Sequence, residues 1–272
     1  MITVRELLVG FASLPIRGQA VIAHGSYKSL GDVLGGPQAV IEALVSSCAS
    51  LIMPTFTYQT MVMPLDGPPD NGFDYSAEEA RRKRNAPSTL DAVPFHRDMP
   101  ADEEMGILAE TLRKHPSAKR GLHPILSFSG VNAAYAIDRQ TIPDPLAPIG
   151  ALLERDGWVV LIGVDHSVNT SIHYAEKLAG RQQFIRWALV RHRILECPGF
   201  PGDSSGFDEI TRHLGRDVHA VTIGNARVQA VQLNRLIQCV LALIKEDPFA
   251  LLCGRPECAR CSQVRKEVRR MA

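Results

Sequence analysis

Gln19-Ala20-Val21-Ile22-Ala23-His24-Gly25-Ser26-Tyr27-Lys28-Ser29-Leu30-Gly31 starts as an apolar run and then turns to glycine, hydroxyl and lysine. A short apolar run bounded by turn residues reads as a buried strand, here Gln19 to His24. Gly36 to Ser47 follows with apolar residues at helical spacing, and Leu51 to Phe56 is a second short apolar run. Strand, glycine-bearing turn, helix, strand is the βαβ-like pattern of an α/β fold.

Outward from this unit, Val4 to Leu14 reads as a helix, Asp102 to Lys114 as another, Pro124 to Ser129 as a strand, and Asn132 to Asp138 as a helix or turn. Pro148 to Glu154 predicts a short helix with its proline in the first turn, where a missing N–H costs nothing. Trp158 to Gly163 is a further strand, Phe184 to Leu195 another, and Gly224 to Lys245 a long helical region. The stretch from Met63 to Val93 is rich in Pro, Gly, Asn, Asp and charge, with a helical candidate only around Ser76 to Lys83. Long excursions of this kind in compact domains are often lids or binding walls. No repeat, low-complexity segment or clean linker divides the chain, so residues 1–272 are expected to form one domain.

A formal net charge of +1 over 272 residues argues against electrostatic capture of nucleic acid or of an anionic membrane surface. The one basic run, Arg81-Arg82-Lys83-Arg84, reads as a solvated loop or helix face. No apolar stretch approaches the roughly 18 residues of a membrane span, and Met1 to Val9 is too charged and short for a secretory signal, so a cytoplasmic protein is expected. Six cysteines without an export signal then read as reduced thiols or metal ligands.

Three constellations can carry chemistry. The first is Asn169-Thr170-Ser171-Ile172-His173-Tyr174-Ala175-Glu176, which follows the Trp158 strand and opens an amphipathic segment. His173 and Glu176 are three residues apart, on one face near a helix start, a plausible place for a general base; a capping or packing histidine fits the same spacing. The second is the His24 to Gly31 turn with Gly35-Gly36, where small residues let the backbone approach a ligand and Lys28 adds charge. It has neither a Walker nor a GxGxxG spacing, and an ordinary strand-to-helix turn also reads this way. The third is Arg120-Gly121-Leu122-His123-Pro124 ahead of Ser127 and Ser129, in which the Arg fork suits phosphate, or else sits on the surface above a core histidine.

In order and spacing these pieces resemble the aminoglycoside 3-N-acetyltransferase family, the antibiotic N-acetyltransferases distinct from the GNAT superfamily. The matching stretches are the His24 to Gly36 turn, Met53-Pro54-Thr55-Phe56-Thr57, Met105-Gly106 with Glu110 and Arg113, Arg120 to Pro124 with Ser127-Phe128, and Leu161-Ile162-Gly163 through Asn169-Thr170 to His173 and Glu176. The resemblance covers nearly the whole chain and is nearest to the apramycin-type branch. It implies a single α/β domain with a mixed central sheet flanked by helices. It also implies transfer of acetyl from acetyl-CoA to the 3-amino group of a 2-deoxystreptamine ring by direct attack, which confers antibiotic resistance.

Residue by residue, the resemblance assigns Ser26, Tyr27, Lys28 and Ser29 to the CoA pyrophosphate and pantetheine, with Arg120 and Ser127 as further CoA contacts. His173 falls on the base, and an ammonium acceptor that must lose a proton suits a histidine. Thr170 is the candidate donor to the thioester oxygen, and Glu176 the carboxylate nearest to the imidazole. Glu196 matches a substrate carboxylate of apramycin-acetylating relatives, and Asp66, Asp70, Asp74, Asp102, Glu103 and Glu104 offer a negative wall for an aminoglycoside or other polyamine-like acceptor. Their ordinary role is solubility. Phe95-His96-Arg97 departs from the common Phe-Asp-Pro, and Arg120-Gly121 from Arg-Ser.

Cys258-Ala259-Arg260-Cys261 is a CxxC resembling a C-terminal Cys pair of the apramycin-type branch. With Cys197 and Cys253 it would make a structural zinc set, with His192 an alternative to Cys253; free thiols are the other reading. The rival functions are acylation of another amine, or a non-catalytic CoA- or nucleotide-binding module in which His173 is structural.

Overall fold

The computed structural model describes residues 1–64, 66–76 and 92–271. A seven-stranded sheet forms its centre, with β1 (Ala20–Gly25), β2 (Ser50–Pro54), β4 (Ala118–Arg120), β5 (Phe128–Val131), β6 (Trp158–Ile162), β9 (Val218–Ile223) and β10 (Ala226–Gln232) in the order β4-β5-β2-β1-β6-β10-β9. The central strands β2, β1 and β6 are parallel, with Ile22 facing Ile52 on one side and Val159 on the other. The outer pairings are antiparallel, which makes the sheet mixed. A smaller antiparallel sheet carries β3 (Met61–Val62), β7 (Phe184–Val190) and β8 (Arg193–Phe200).

Parallel strands in the middle of a sheet are covered on both faces, so their apolar runs are continuous rather than alternating. Successive side chains then enter opposite layers. Val21 and Ala23 pack with α1 (Val4–Ala12), α2 (Gly36–Ser47) and α3 (Gly106–Arg113), contributing Phe11, Leu44 and Leu108 among others. Ala20 and Ile22 enter the layer of α4 (Ala147–Leu153), α5 (Thr170–Leu178) and α6 (Leu233–Glu246), with Ile149, Ile172 and Leu236. The last helix, α7 (Ala259–Met271), joins the second layer through Val264.

The βαβ unit, the Val4 helix, the helix of the histidine segment and the Trp158 strand form where their periodicity puts them. Three expectations change. Phe184 to Leu195 is not one strand but most of a hairpin, turning at Arg191 with φ 57°. Only Phe128 onward pairs as a strand in the Pro124 region. Gly224 to Lys245 is helical only from Leu233; before it, β9 and β10 form a hairpin around Gly224-Asn225. The Ala and Gln residues there suit either period, and the Gly-Asn turn decides the pairing.

The 63–93 excursion is described in part. Asn71 clamps the Ile185 backbone, its Oδ1 accepting from Ile185 N at 2.7 Å and its Nδ2 donating to Ile185 O at 3.0 Å. The helical candidate at Ser76 to Lys83, beyond Ser76 itself, and the Arg81 to Arg84 run lie outside the described residues. Among the described residues no helix is long and apolar enough to cross a membrane.

Candidate active site

A cavity of about 950 Å³ opens at the carboxyl ends of β1, β2 and β6. Strand ends and the loops that follow them leave a natural crevice in α/β sheets, and this one takes its walls from His24, Met53, Pro54, Val164 and the start of α5. Met63, Gly72 and Phe73 of the excursion add a further wall.

Helix α5 begins at an Asn169 cap, whose Oδ1 accepts from Ser171 N at 3.1 Å. The cap fixes the first turn, so Thr170 and His173 both line the cavity while Glu176, one turn further, is buried behind them. His173 Nδ1 lies 2.9 Å from Glu176 Oε2, and Arg181 Nη1 donates to Glu176 Oε1 at 2.6 Å. Arg181 is held in turn by the carbonyls of Pro248 and Ala250. A carboxylate only accepts, so it places the imidazole proton on Nδ1 and leaves the Nε2 lone pair for the cavity. The ring of Phe207 meets the imidazole edge-on at 4.6 Å and limits its rotation. This is the geometry of an oriented base. The His-x-x-Glu spacing was legible in the sequence; Arg181, past the helix end, was not.

The turn after β1 divides. Ser26, Tyr27 and Lys28 line the cavity. Ser29 turns away, its Oγ donating to Ser26 O at 2.6 Å and packing over Gly163, where φ is 60° and a side chain would collide with it. His24 also lines the cavity, and burial beside His166 pushes its pKa down to about 3, so the ring stays neutral. Burial raises the Tyr58 hydroxyl above its ordinary range, keeping that cavity residue a neutral phenol.

Arg120 and Ser127 are not at the cavity. Arg120 is buried and donates through Nε to Ser127 Oγ at 3.1 Å, through Nη2 to Thr55 O at 2.9 Å, and through Nη1 to the carbonyls of Arg97 and Met99. Ser127 donates to the same Thr55 carbonyl. The pair ties the segment after β2 to the 97–99 segment, and each of the three Arg120 nitrogens already has an acceptor. A guanidinium fork that fits an anion also fits converging carbonyls, and here carbonyls and a hydroxyl meet it. His96 and Arg97 are exposed and outside the cavity lining.

Of the predicted substrate carboxylates, Glu196 and Asp102 do not line the cavity, whereas Glu103 and Glu104 of the acidic wall do. Glu196 is exposed on the β7–β8 hairpin opposite Trp187. Asp102 is spent as a cap, accepting from Glu104 N at 3.1 Å. It delivers Glu103 and Glu104 to the cavity instead. Asp66 accepts from Gly67 N, and Asp70 is engaged by Arg270 and Gln263.

The cysteine cluster forms with one replacement. Ligand atoms of Asp203, Cys253, Cys258 and Cys261 all lie within 4.8 Å of one another. Tetrahedral zinc with Zn–S near 2.3 Å needs ligands about 3.8 Å apart, so three thiolates and a carboxylate fit it. Cys197 is elsewhere: it is buried in the apolar layer, its Sγ points to Leu195 O at 3.7 Å, and burial pushes its thiol up to about 12. His192 is exposed in the hairpin turn and takes no part. Asp203 was missed because a lone Asp in a Pro-Gly-Asp-Ser-Ser loop carries no ligand spacing. It also accepts from Arg255 and Arg260, the latter a cavity residue.

The family model described as aminoglycoside 3-N-acetyltransferase matches residues 22–245. Aminoglycoside N(3)-acetyltransferase IV of a Salmonella species is 27% identical over 169 residues, covering 60% of this chain and 53% of that protein. Aminoglycoside N(3)-acetyltransferase VII of Streptomyces paromomycinus is 31% identical over 169 residues, covering 60% of this chain and 55% of that one. The chain thus spans about half the length of these curated relatives. The crystal structure of the aminoglycoside acetyltransferase AAC(3)-IVa apoenzyme superimposes with a TM-score of 0.76 at 22% identity, covering 97% of both chains, a likeness of fold. The family match takes in most of β1, the histidine helix and most of α6, and with it the chain belongs to the aminoglycoside 3-N-acetyltransferase family.

Proposed function

We propose that this chain transfers acetyl from acetyl-CoA to an amine of an aminoglycoside, the 3-amino group of its 2-deoxystreptamine ring, and so inactivates the antibiotic. The observation that carries the reading is the Arg181–Glu176–His173 chain ending at the wall of a cavity of about 950 Å³. Relatives named for this activity support the acceptor.

Ser26, Tyr27 and Lys28 are the CoA side, Lys28 supplying charge for the pyrophosphate. His173 Nε2 takes the proton from the acceptor ammonium, and the freed amine attacks the thioester carbonyl. As the C–N bond forms, the carbonyl electrons move onto oxygen, where the Thr170 hydroxyl donates; no other hydrogen bond engages that hydroxyl among the described residues. Collapse breaks the C–S bond, the departing thiolate takes its proton from the His173 imidazolium, and the excess proton left on the acylated nitrogen passes to the freed Nε2 and on to solvent, giving the neutral amide. Glu176 holds the ring in register and stabilises its transient charge. Glu103 and Glu104 supply counter-charge for ammonium groups of the acceptor.

Zinc held by Asp203, Cys253, Cys258 and Cys261 belongs to the same proposal, as a cross-link between the 203 loop and the C-terminal helix rather than a reactant. A reducing cytoplasm, where acetyl-CoA is made and thiolates persist, is the compartment it suits. The test is release of CoA thiol from acetyl-CoA against a panel of aminoglycosides. Turnover with a 2-deoxystreptamine compound acetylated at N3 is expected; CoA binding without turnover on any amine would favour a binding module instead.

A further inference from the structure

Arg186 on β7 lines the cavity although only 5% exposed, and it is engaged differently from the other buried arginines. Arg120 has an acceptor at each of its three nitrogens, and Arg181 has a carboxylate and two carbonyls. Arg186 donates through Nη1 alone, to Asn71 O at 3.2 Å and Ile185 O at 2.7 Å. Its Nε and Nη2 have no acceptor, and no carboxylate pairs with it, among the described residues. The rings of Phe200, Phe184 and Phe73 surround the guanidinium at 4.8, 5.6 and 5.9 Å. Ring faces offset part of a buried cation's desolvation, yet they leave the planar N–H edge empty.

A second cation faces the same place. Arg260 reaches the Phe200 ring at 5.9 Å, lines the cavity, and is tied to Gly202 O and Asp203. Burial first, and then Arg260, push Arg186 down to about 10, so it stays charged at neutral pH. Two guanidinium groups beside the rings of Phe73 and Phe200 repel the ammonium groups of a polycationic sugar here.

We propose that Arg186, backed by Arg260, is an oxyanion seat that admits a further acceptor class: primary amines whose far end carries a carboxylate or a phosphonate-type group. The inference rests on the transferase reading of the cavity and adds an acceptor to it. The Nε and Nη2 donors of one guanidinium match two oxygens of such a group side by side. Phe73 and Phe200 suit a flat or apolar spacer between the anion and the amine. The reaction is unchanged: the amine gains the acetyl group, CoA leaves as its thiol, and the anion does not react.

Matched probes test it: 4-(aminomethyl)benzoate, 4-(aminomethyl)benzylphosphonate and the neutral 4-(aminomethyl)benzamide, each measured with the full chain. Calorimetric affinity and, with acetyl-CoA, kcat/KM should favour at least one anionic probe over the amide by about tenfold or more; the two anions distinguish carboxylate from phosphonate. Arg186→Gln should abolish that preference and Arg186→Lys should keep part of it. Should Arg186→Gln fail to fold, Arg260→Gln, at a partly exposed side chain, should reduce the preference instead. Equal binding of amide and anions by the wild type, or a preference surviving both substitutions, overturns the seat. Failure of the transferase reading looks different: anionic probes would still bind through Arg186 while no amine, aminoglycosides included, released thiol.

Discussion

Replacing Glu176 with Gln keeps the shape of the side chain and tests whether its charge sets the protonation of His173. Arg181 Nη1, fixed by its neighbours, donates to Oε1 at 2.6 Å and requires an acceptor there. The Gln carbonyl must therefore face Arg181, which turns its NH₂ toward His173 Nδ1, 2.9 Å from the present Oε2. A donor facing Nδ1 forces the imidazole proton onto Nε2, the nitrogen that should accept from the acceptor amine. The base is then blocked without moving. Base loss of this kind costs about 10² to 10⁴-fold in rate, or about 3–5 kcal/mol in the barrier. Stability should fall too, by up to about 3–5 kcal/mol, because Arg181 stays buried without its counter-charge. The assay is thiol release at saturating acetyl-CoA, with urea unfolding of the same preparation. A folded Glu176→Gln protein retaining more than a tenth of wild-type kcat would refute the tautomer argument.

Other consequences follow from the same contacts. Arg120→Met should cost at least about 3 kcal/mol of stability by stranding buried acceptors, while the folded fraction binds CoA normally; a stable variant with tenfold weaker CoA binding would restore Arg120 to the CoA site. Burial holds His24 to about 3 and His123 to about 4. The unfolded chain takes up protons at both rings below about 6.5 while the folded chain does not, so stability should fall as pH drops from about 6.5 toward 4, by about 2 kcal/mol per ring at pH 5. A urea midpoint equal at pH 7.5 and pH 5 would contradict this. Purified protein should carry about one equivalent of zinc, lost with a lowered melting temperature in Asp203→Ala and Cys258→Ser but kept in Cys197→Ser; zinc lost only in the Cys197 variant would reverse the ligand assignment.

Much of this was legible in the sequence wherever a local pattern carries the information. A buried parallel strand is a continuous apolar run, so β1, β2 and β6 could be read directly, and His173 and Glu176 share a helix face by spacing alone. The turn after β1 was legible as a strand-to-helix turn, though not which of its hydroxyls faces the cavity; Ser29 bonds back to Ser26 O instead. What distant segments supply was not legible. Arg120 looked like a phosphate ligand until the carbonyls of residues 55, 97 and 99 converged on it. Cys197 fitted the thiol count, but chain geometry brings Asp203 to the cluster, and no spacing announces a single loop aspartate. Strand β10 reads as the start of the Gly224 to Lys245 helix because Ala, Gln and Val are tolerated in both periods, and only pairing to β6 and β9 settles it.

The central claim is that His173 is the base of an acetyl transfer within this cavity. Turnover of acetyl-CoA with a competent amine, measured for His173→Ala beside direct CoA binding to the same protein, tests it most directly. The account predicts a rate about 10² to 10⁴-fold lower with CoA affinity within about threefold of wild type. Near-normal turnover at neutral pH would contradict it.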